Sequence, residues 1–180
     1  MLSAVSMVLY YKNKYRGDFM NRIYCVIGKF AETTQFIEYR LGEVCENSEI
    51  IKEFGRHQVM TQKDYDQVVD DAAFLREQMS SMTFGRIIGT VRDSKSLSED
   101  EVNQLKVLLG KRNYFTHEYF KYTSYVNATE DFIKEEFDAI KADLIKLKQM
   151  LERLNLIKNN QETRIKYLIE KNKLKKKVID

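Results

Sequence analysis

The sequence predicts an all-α protein, an antiparallel helical bundle of four to five helices. Three observations carry that expectation. The 180 residues contain no proline and only seven glycines, so the breakers that punctuate a many-stranded β fold are missing. Apolar residues recur at alternating spacings of three and four, the period of one helix face. Polar breaks at 46–62 and 92–98 let the chain turn back, which favours a bundle over one extended coiled coil.

The helices follow in order. The start, MLSAVSMVLYYKNKYR, has an apolar run too short to span a bilayer and lacks the basic region and cleavage site of a leader. It reads as a floppy or packed terminal arm. The first stripe is Ile23, Ile27, Phe30, Thr34, Ile37, Leu41 and Val44. A second helix, capped at Thr61, carries Tyr65, Val68, Ala72, Leu75, Met79 and Met82. The third opens with a capping box from Ser98 to Glu101, followed by Val102, Leu105 and Leu109. The fourth starts near Thr129 and runs through Ile133, Phe137, Ile140, Leu144, Leu147, Leu151 and Leu154. GRIIG, from Gly85 to Gly89, suggests close approach of two helices rather than a phosphate loop, which would need more glycines and a following Lys-Ser/Thr. No repeat or linker is visible, so residues 1–180 read as a single domain.

Charge divides that domain unevenly. Residues 159–180 hold seven Lys/Arg against three acids, leaving 23 against 24 in the rest. This segment reads as a solvated basic helix or tail, with attraction to RNA phosphate as the sharper alternative. A near-neutral body disfavours a broad nucleic-acid binder. Cys25 and Cys45 lack metal-ligand spacing and read as small core residues of a reducing compartment, hence a cytoplasmic protein. No metal or cofactor is expected. His57 reads as a solvent-facing loop residue, and Asp64, Asp66, Asp70 and Asp71 as a solvated acidic face.

The segment GKRNYFTHEYF, residues 110–120, stands apart. Continuing the third stripe in its own rhythm places Arg112, Thr116 and Tyr119 on the packing face. A cation there is costly unless it is paired or lines a polar cleft. His117 lies five residues on, about 140° around an ideal helix, and shares a face with Asn113, which could orient the imidazole. Two copies of the helix across a twofold axis would bring two arginines and two histidines into one cleft. Tyr114, Phe115, Tyr119, Phe120, Tyr122 and Tyr125 would wall that cleft or stack on bases. Histidine moves protons near neutral pH and arginine clamps phosphate, a pair suited to cleaving RNA through its own 2′-hydroxyl.

RNYFTH resembles the Arg-x4-6-His signature of HEPN domains, in which a polar residue follows the arginine; the residues are Arg112, Asn113 and His117. The resemblance spans about residues 19–158, with the motif late in a helical bundle. It implies a metal-independent endoribonuclease that acts as a homodimer, in toxin or phage-defence roles. With Tyr119, the stretch is also similar to the Arg-x4-His-x-Tyr motif of the HepT-type toxins. That subgroup implies a cognate MNT-type nucleotidyltransferase antitoxin that modifies Tyr119, whose shared face with Arg112 places the phenol at the cleft mouth. Tyr114 is a further candidate for RNA contact or modification. The alternative is a non-catalytic HEPN-like helical module that binds a protein partner or nucleotide.

Overall fold

The computed structural model describes residues 4–56, 61–122 and 128–179, and every regular element in them is helical. In chain order these are α1 (Ala4–Arg56), α2 (Gln62–Ser80), α3 (Phe84–Asp93), α4 (Glu99–Asn113), a π-helical turn (Tyr114–Glu118), α5 (Tyr119–Tyr122) and α6 (Glu130–Ile179). His57 and Tyr125 lie outside the described residues.

The starts of the helices follow local chemistry. Thr61 and Asp64 form a reciprocal capping box, the Thr61 amide donating to Asp64 Oδ2 at 2.9 Å and the Asp64 amide to Thr61 Oγ1 at 3.2 Å. Ser98 and Glu101 form the expected second box, at 2.8 and 3.3 Å. Thr129 Oγ1 accepts from the Phe132 amide at 3.2 Å and opens α6.

Contacts divide the chain into two compact units. The first draws on Met1–Thr34 and Gly110–Gln149. Ile23 and Phe30 of α1 are buried in it with Phe115, Tyr119, Ile133 and Ile140. Thr34, on the apolar stripe, is buried because its hydroxyl donates to the Phe30 carbonyl at 2.9 Å, which leaves only its methyl to pack. α5 runs antiparallel to α1, since Phe30 meets Phe115 and Tyr24 meets Phe120. The rod from α4 to α5 runs antiparallel to α6, with Lys111 on Asp143 at 2.8 Å and Tyr119 on Glu136 at 3.3 Å.

The second unit draws on Gln35–Leu109 and Met150–Asp180. Leu41 and Val44 of α1, Met79 of α2, Val91 of α3, Leu105 of α4 and Leu154 of α6 are each buried to 1% exposure or less. α2 is antiparallel to α1: Tyr65 stacks on Phe54, while Arg76 reaches back to Glu46. α6 instead runs parallel to α1. Gln161 Nε2 donates to the Val44 carbonyl at 3.2 Å and to Ser48 Oγ at 2.7 Å, and further along Ile165, Leu168 and Ile169 pack on Ile50 and Phe54.

Several expectations change. The helix over GRIIG was not foreseen as an element; it buries Phe84, Ile87, Ile88 and Val91. Its glycines are not needed for close approach. A Cβ on Gly85 would sit 3.6 Å from Leu109, an ordinary contact, and one on Gly89 would meet nothing within 4 Å. The second stripe ends with its helix at Ser80, so Met82 lies beyond it. The first helix runs to Arg56, well into the expected polar break. The terminal arm is helical from Ala4, and the basic segment continues α6 to Ile179 instead of forming a separate helix. Cys45 is buried as expected, but Cys25 is exposed.

Candidate active site around Arg112 and His117

The site begins with an ordinary helix. Acidic residues Glu99, Asp100 and Glu101 occupy the first turn of α4, where they meet the positive end of its dipole, and Lys111 and Arg112 occupy the last. Val102, Leu105 and Leu108 face the core. Glu101 also holds Arg153 Nε at 2.7 Å. Burial alone would raise its carboxyl; the bonds from Arg153 and Ser98 outweigh burial and hold it below the usual range.

At Tyr114 the winding changes. Five residues, YFTHE, form a π turn, closed by the Tyr119 amide donating to the Tyr114 carbonyl five positions back. The buried stripe had already moved one residue ahead of the predicted rhythm in α4, where Leu108 and not Leu109 faces the core, and Phe115 follows it seven residues on in place of Thr116. Thr116 is exposed, and its Oγ1 donates to the Arg112 carbonyl at 2.8 Å. Aromatic rings pack closely around the turn. Phe115, Tyr119 and Tyr114 lie with centroids 5.6–5.7 Å apart, Phe30 packs edge-on to Phe115 at 5.0 Å, and Phe120 stacks on Tyr24 at 4.9 Å.

A turn that closes at the fifth residue rotates less per residue than an α-helix, so the π turn reduces the 140° offset that an ideal α-helix would put between Arg112 and His117. Arg112 is half-buried, and its Nη1 donates to Asn113 Oδ1 at 3.1 Å. Asn113 thus steadies the guanidinium; it does not orient His117 as the shared face suggested. His117 is exposed, with no hydrogen bond to the described residues.

The aromatic residues divide differently from the expectation of a walled cleft. Tyr119 is 1% exposed and hydrogen-bonds to Glu136 Oε2 at 3.3 Å, so its phenol lies on the packing face and not at a cleft mouth. Tyr114, at 37% exposure, is an accessible phenol of this segment. The side chain of Tyr122, like the whole of Tyr125, lies outside the described residues.

No family model, curated protein or solved structure matches the chain. Among the described residues no group of three or more His, Cys, Asp or Glu side chains is placed to hold a metal ion, and no helix is long and apolar enough to cross a membrane. Three carboxylates of the acidic face of α2 make local bonds: Asp64 accepts from the Thr61 amide, Asp66 from Gln62 and Asp71 from Gln67, the last two at 2.8 Å, while Asp70 is exposed.

Sequence reasoning missed two features. Glu136 gave no signal as the partner of Tyr119, because nothing local links positions 17 apart across a turn. In the second unit, Arg76 lies over the Tyr39 ring at 4.7 Å, bonds to its hydroxyl and pairs with Glu46 at 3.2 Å. This cluster joins two helices whose register is not written in either one.

Proposed function

We propose that this chain is a metal-independent endoribonuclease of HEPN type, active in the cytoplasm as a homodimer in a toxin or phage-defence role. The observation that supports it is the π turn. It starts two residues after Arg112, contains His117, and narrows the angle between them. Arg112, held by Asn113, binds a non-bridging phosphate oxygen and stabilises charge at phosphorus in the transition state. His117, open to solvent, takes the proton of the RNA 2′-hydroxyl as that oxygen attacks. The phosphorus–O5′ bond breaks, leaving a 2′,3′-cyclic phosphate on one fragment. The other leaves with a 5′-hydroxyl, protonated by the partner copy's histidine.

The test is cleavage of a defined RNA with EDTA present. His117→Ala and Arg112→Ala should each lower the rate at least about 100-fold with helix content unchanged. Substituting 2′-deoxy residues throughout the substrate should stop cleavage. Retained activity in either variant, or equal cleavage of DNA, overturns the reading.

Inhibition by a nucleotidyltransferase partner is the regulatory half of this proposal. Since Tyr119 is packed and bonded to Glu136, occlusion, or modification at the accessible Tyr114, fits the geometry better than adenylation of Tyr119. Intact-mass measurement after co-expression with such a partner separates them. A mass gain mapped to Tyr119 would favour the original motif-based expectation.

A further inference from the structure

Phe115, Tyr119, Phe120 and Tyr24 form a row of rings that runs from the interior of the first unit to its surface. Successive centroids are 5.6, 5.0 and 4.9 Å apart. The inner two rings are 6% and 1% exposed, whereas Phe120 and Tyr24 are 45% and 52% exposed. Phe120 is held by two rings, Tyr119 set across it at 85° and Tyr24 stacked on it at 25°. The outer pair is thus fixed in orientation by its neighbours and still presents aromatic surface to solvent.

The row ends beside the candidate active site. Phe120 follows His117 by three residues, about one turn of the rod. On α1, Phe30 meets Phe115 and Tyr24 meets Phe120, so Gly28 falls level with Thr116 and His117. Gly28 is one turn from Tyr24 on the same face of α1. It is exposed, and a Cβ built there would meet nothing within 4 Å. On the outward side of the α1 stripe, Gly28 therefore leaves a shelf without a side chain. Nucleobases stack on exposed aromatic rings with little regard to sequence. A strand whose phosphate lies between Arg112 and His117 has its neighbouring base within reach of that shelf. The geometry points to Tyr24 and Phe120 as the platform for one unpaired base beside the scissile phosphate. The substrate is then single-stranded RNA and not a duplex, whose bases stay stacked on one another. The placement of the strand rests on the ribonuclease reading, but the test is a binding measurement that needs no cleavage.

The probe is a short fluorescein-labelled RNA without self-complementarity, titrated by anisotropy with the full His117→Ala chain, which binds without cutting. Adding Tyr24→Leu to that chain should weaken binding about tenfold with helix content unchanged, whereas Tyr24→Phe should not weaken it. Gly28→Leu gains helix propensity, so α1 should be at least as stable, yet the filled shelf should weaken binding by a similar factor. A strand of the same length with abasic sites should bind all these chains alike, because phosphate contacts are untouched. Unchanged binding in Tyr24→Leu or Gly28→Leu overturns the platform, as does an equal loss for the abasic strand. A Tyr24→Leu chain that sediments as a monomer where the parent is a dimer also overturns it, making the rings a seat for a second copy. Ring-dependent binding without cleavage by the parent would sink the ribonuclease reading and leave the platform standing. Cleavage of single strands by Tyr24→Leu with unchanged KM would sink the platform alone.

Discussion

Cys45 and Cys25 differ in chemistry because one is buried and the other is not. Burial pushes the Cys45 thiol up to about 11 from 9.0, only partly offset by its contact with Ser94. Cys25 is exposed, so a thiol reagent should label it rapidly in the native protein and reach Cys45 only on unfolding. The same burial ties stability to pH. The fold prefers the protonated thiol, so its contribution is whole below pH 9 and is lost as pH rises through about 11. The loss should be on the order of 2 kcal/mol, read as urea midpoints that fall more steeply in the parent than in Cys45→Ala. Lys95 poses a backbone problem instead. It ends α3 with φ at 54°, a left-handed conformation where a side chain is strained. Lys95→Gly should raise stability by roughly 0.5 kcal/mol, a thermal shift of about 1–2 °C.

Among the elements, α4 and the π turn that follows it are held by different forces. Ser98→Ala removes an N-cap and should cost about 1 kcal/mol. Glu101 adds a pH dependence of opposite sign to that of Cys45. Its lowered carboxyl contributes above the ordinary carboxylate range and loses that contribution as pH falls through the folded value. Glu101→Gln should therefore flatten the acid limb of a stability–pH curve. The π turn rests on ring packing, so Phe115→Ala should cost about 3 kcal/mol. Deleting exposed Thr116 lets the rod wind as a plain α-helix with both flanks in phase. Its unfolding free energy should stay within roughly 1 kcal/mol of the parent's. The caps at Thr61 and Ser98 and the stripe from Ile23 to Val44 were legible because their causes lie within a few residues. The π turn was not. Its aromatic neighbours Phe30 and Tyr24 lie on another helix, out of reach of any local pattern, and the predicted rhythm had already slipped by one residue at Leu108. α3 was hidden by reading two glycines as a contact device when they are merely tolerated in a short amphipathic helix.

Across the molecule, helix direction was the least legible property, because apolar spacing carries no polarity. The stripes of α1 and α6 would serve equally well in either sense; only contacts such as Gln161 with Val44 fix them as parallel in the second unit. The boundaries of both units, at Thr34, Leu109 and Gln149, fall at positions inside helices. A chain ended at Gln149 should thus lose the cooperative transition of the second unit, since buried Met150 and Leu154 and the Gln161 bond go with it. Amide exchange over α2 and α3 would report that loss, and retained protection there would refute it. The parallel pairing also has a consequence on the ribosome. The α1 stripe emerges early, yet Gln161 follows Val44 by 117 positions. At roughly 5–20 residues per second, that leaves the nascent α1 surface waiting about 6–23 s for α6. During that interval a holdase chaperone has a natural target, and the Arg112 segment stays immature until Glu136 has been translated.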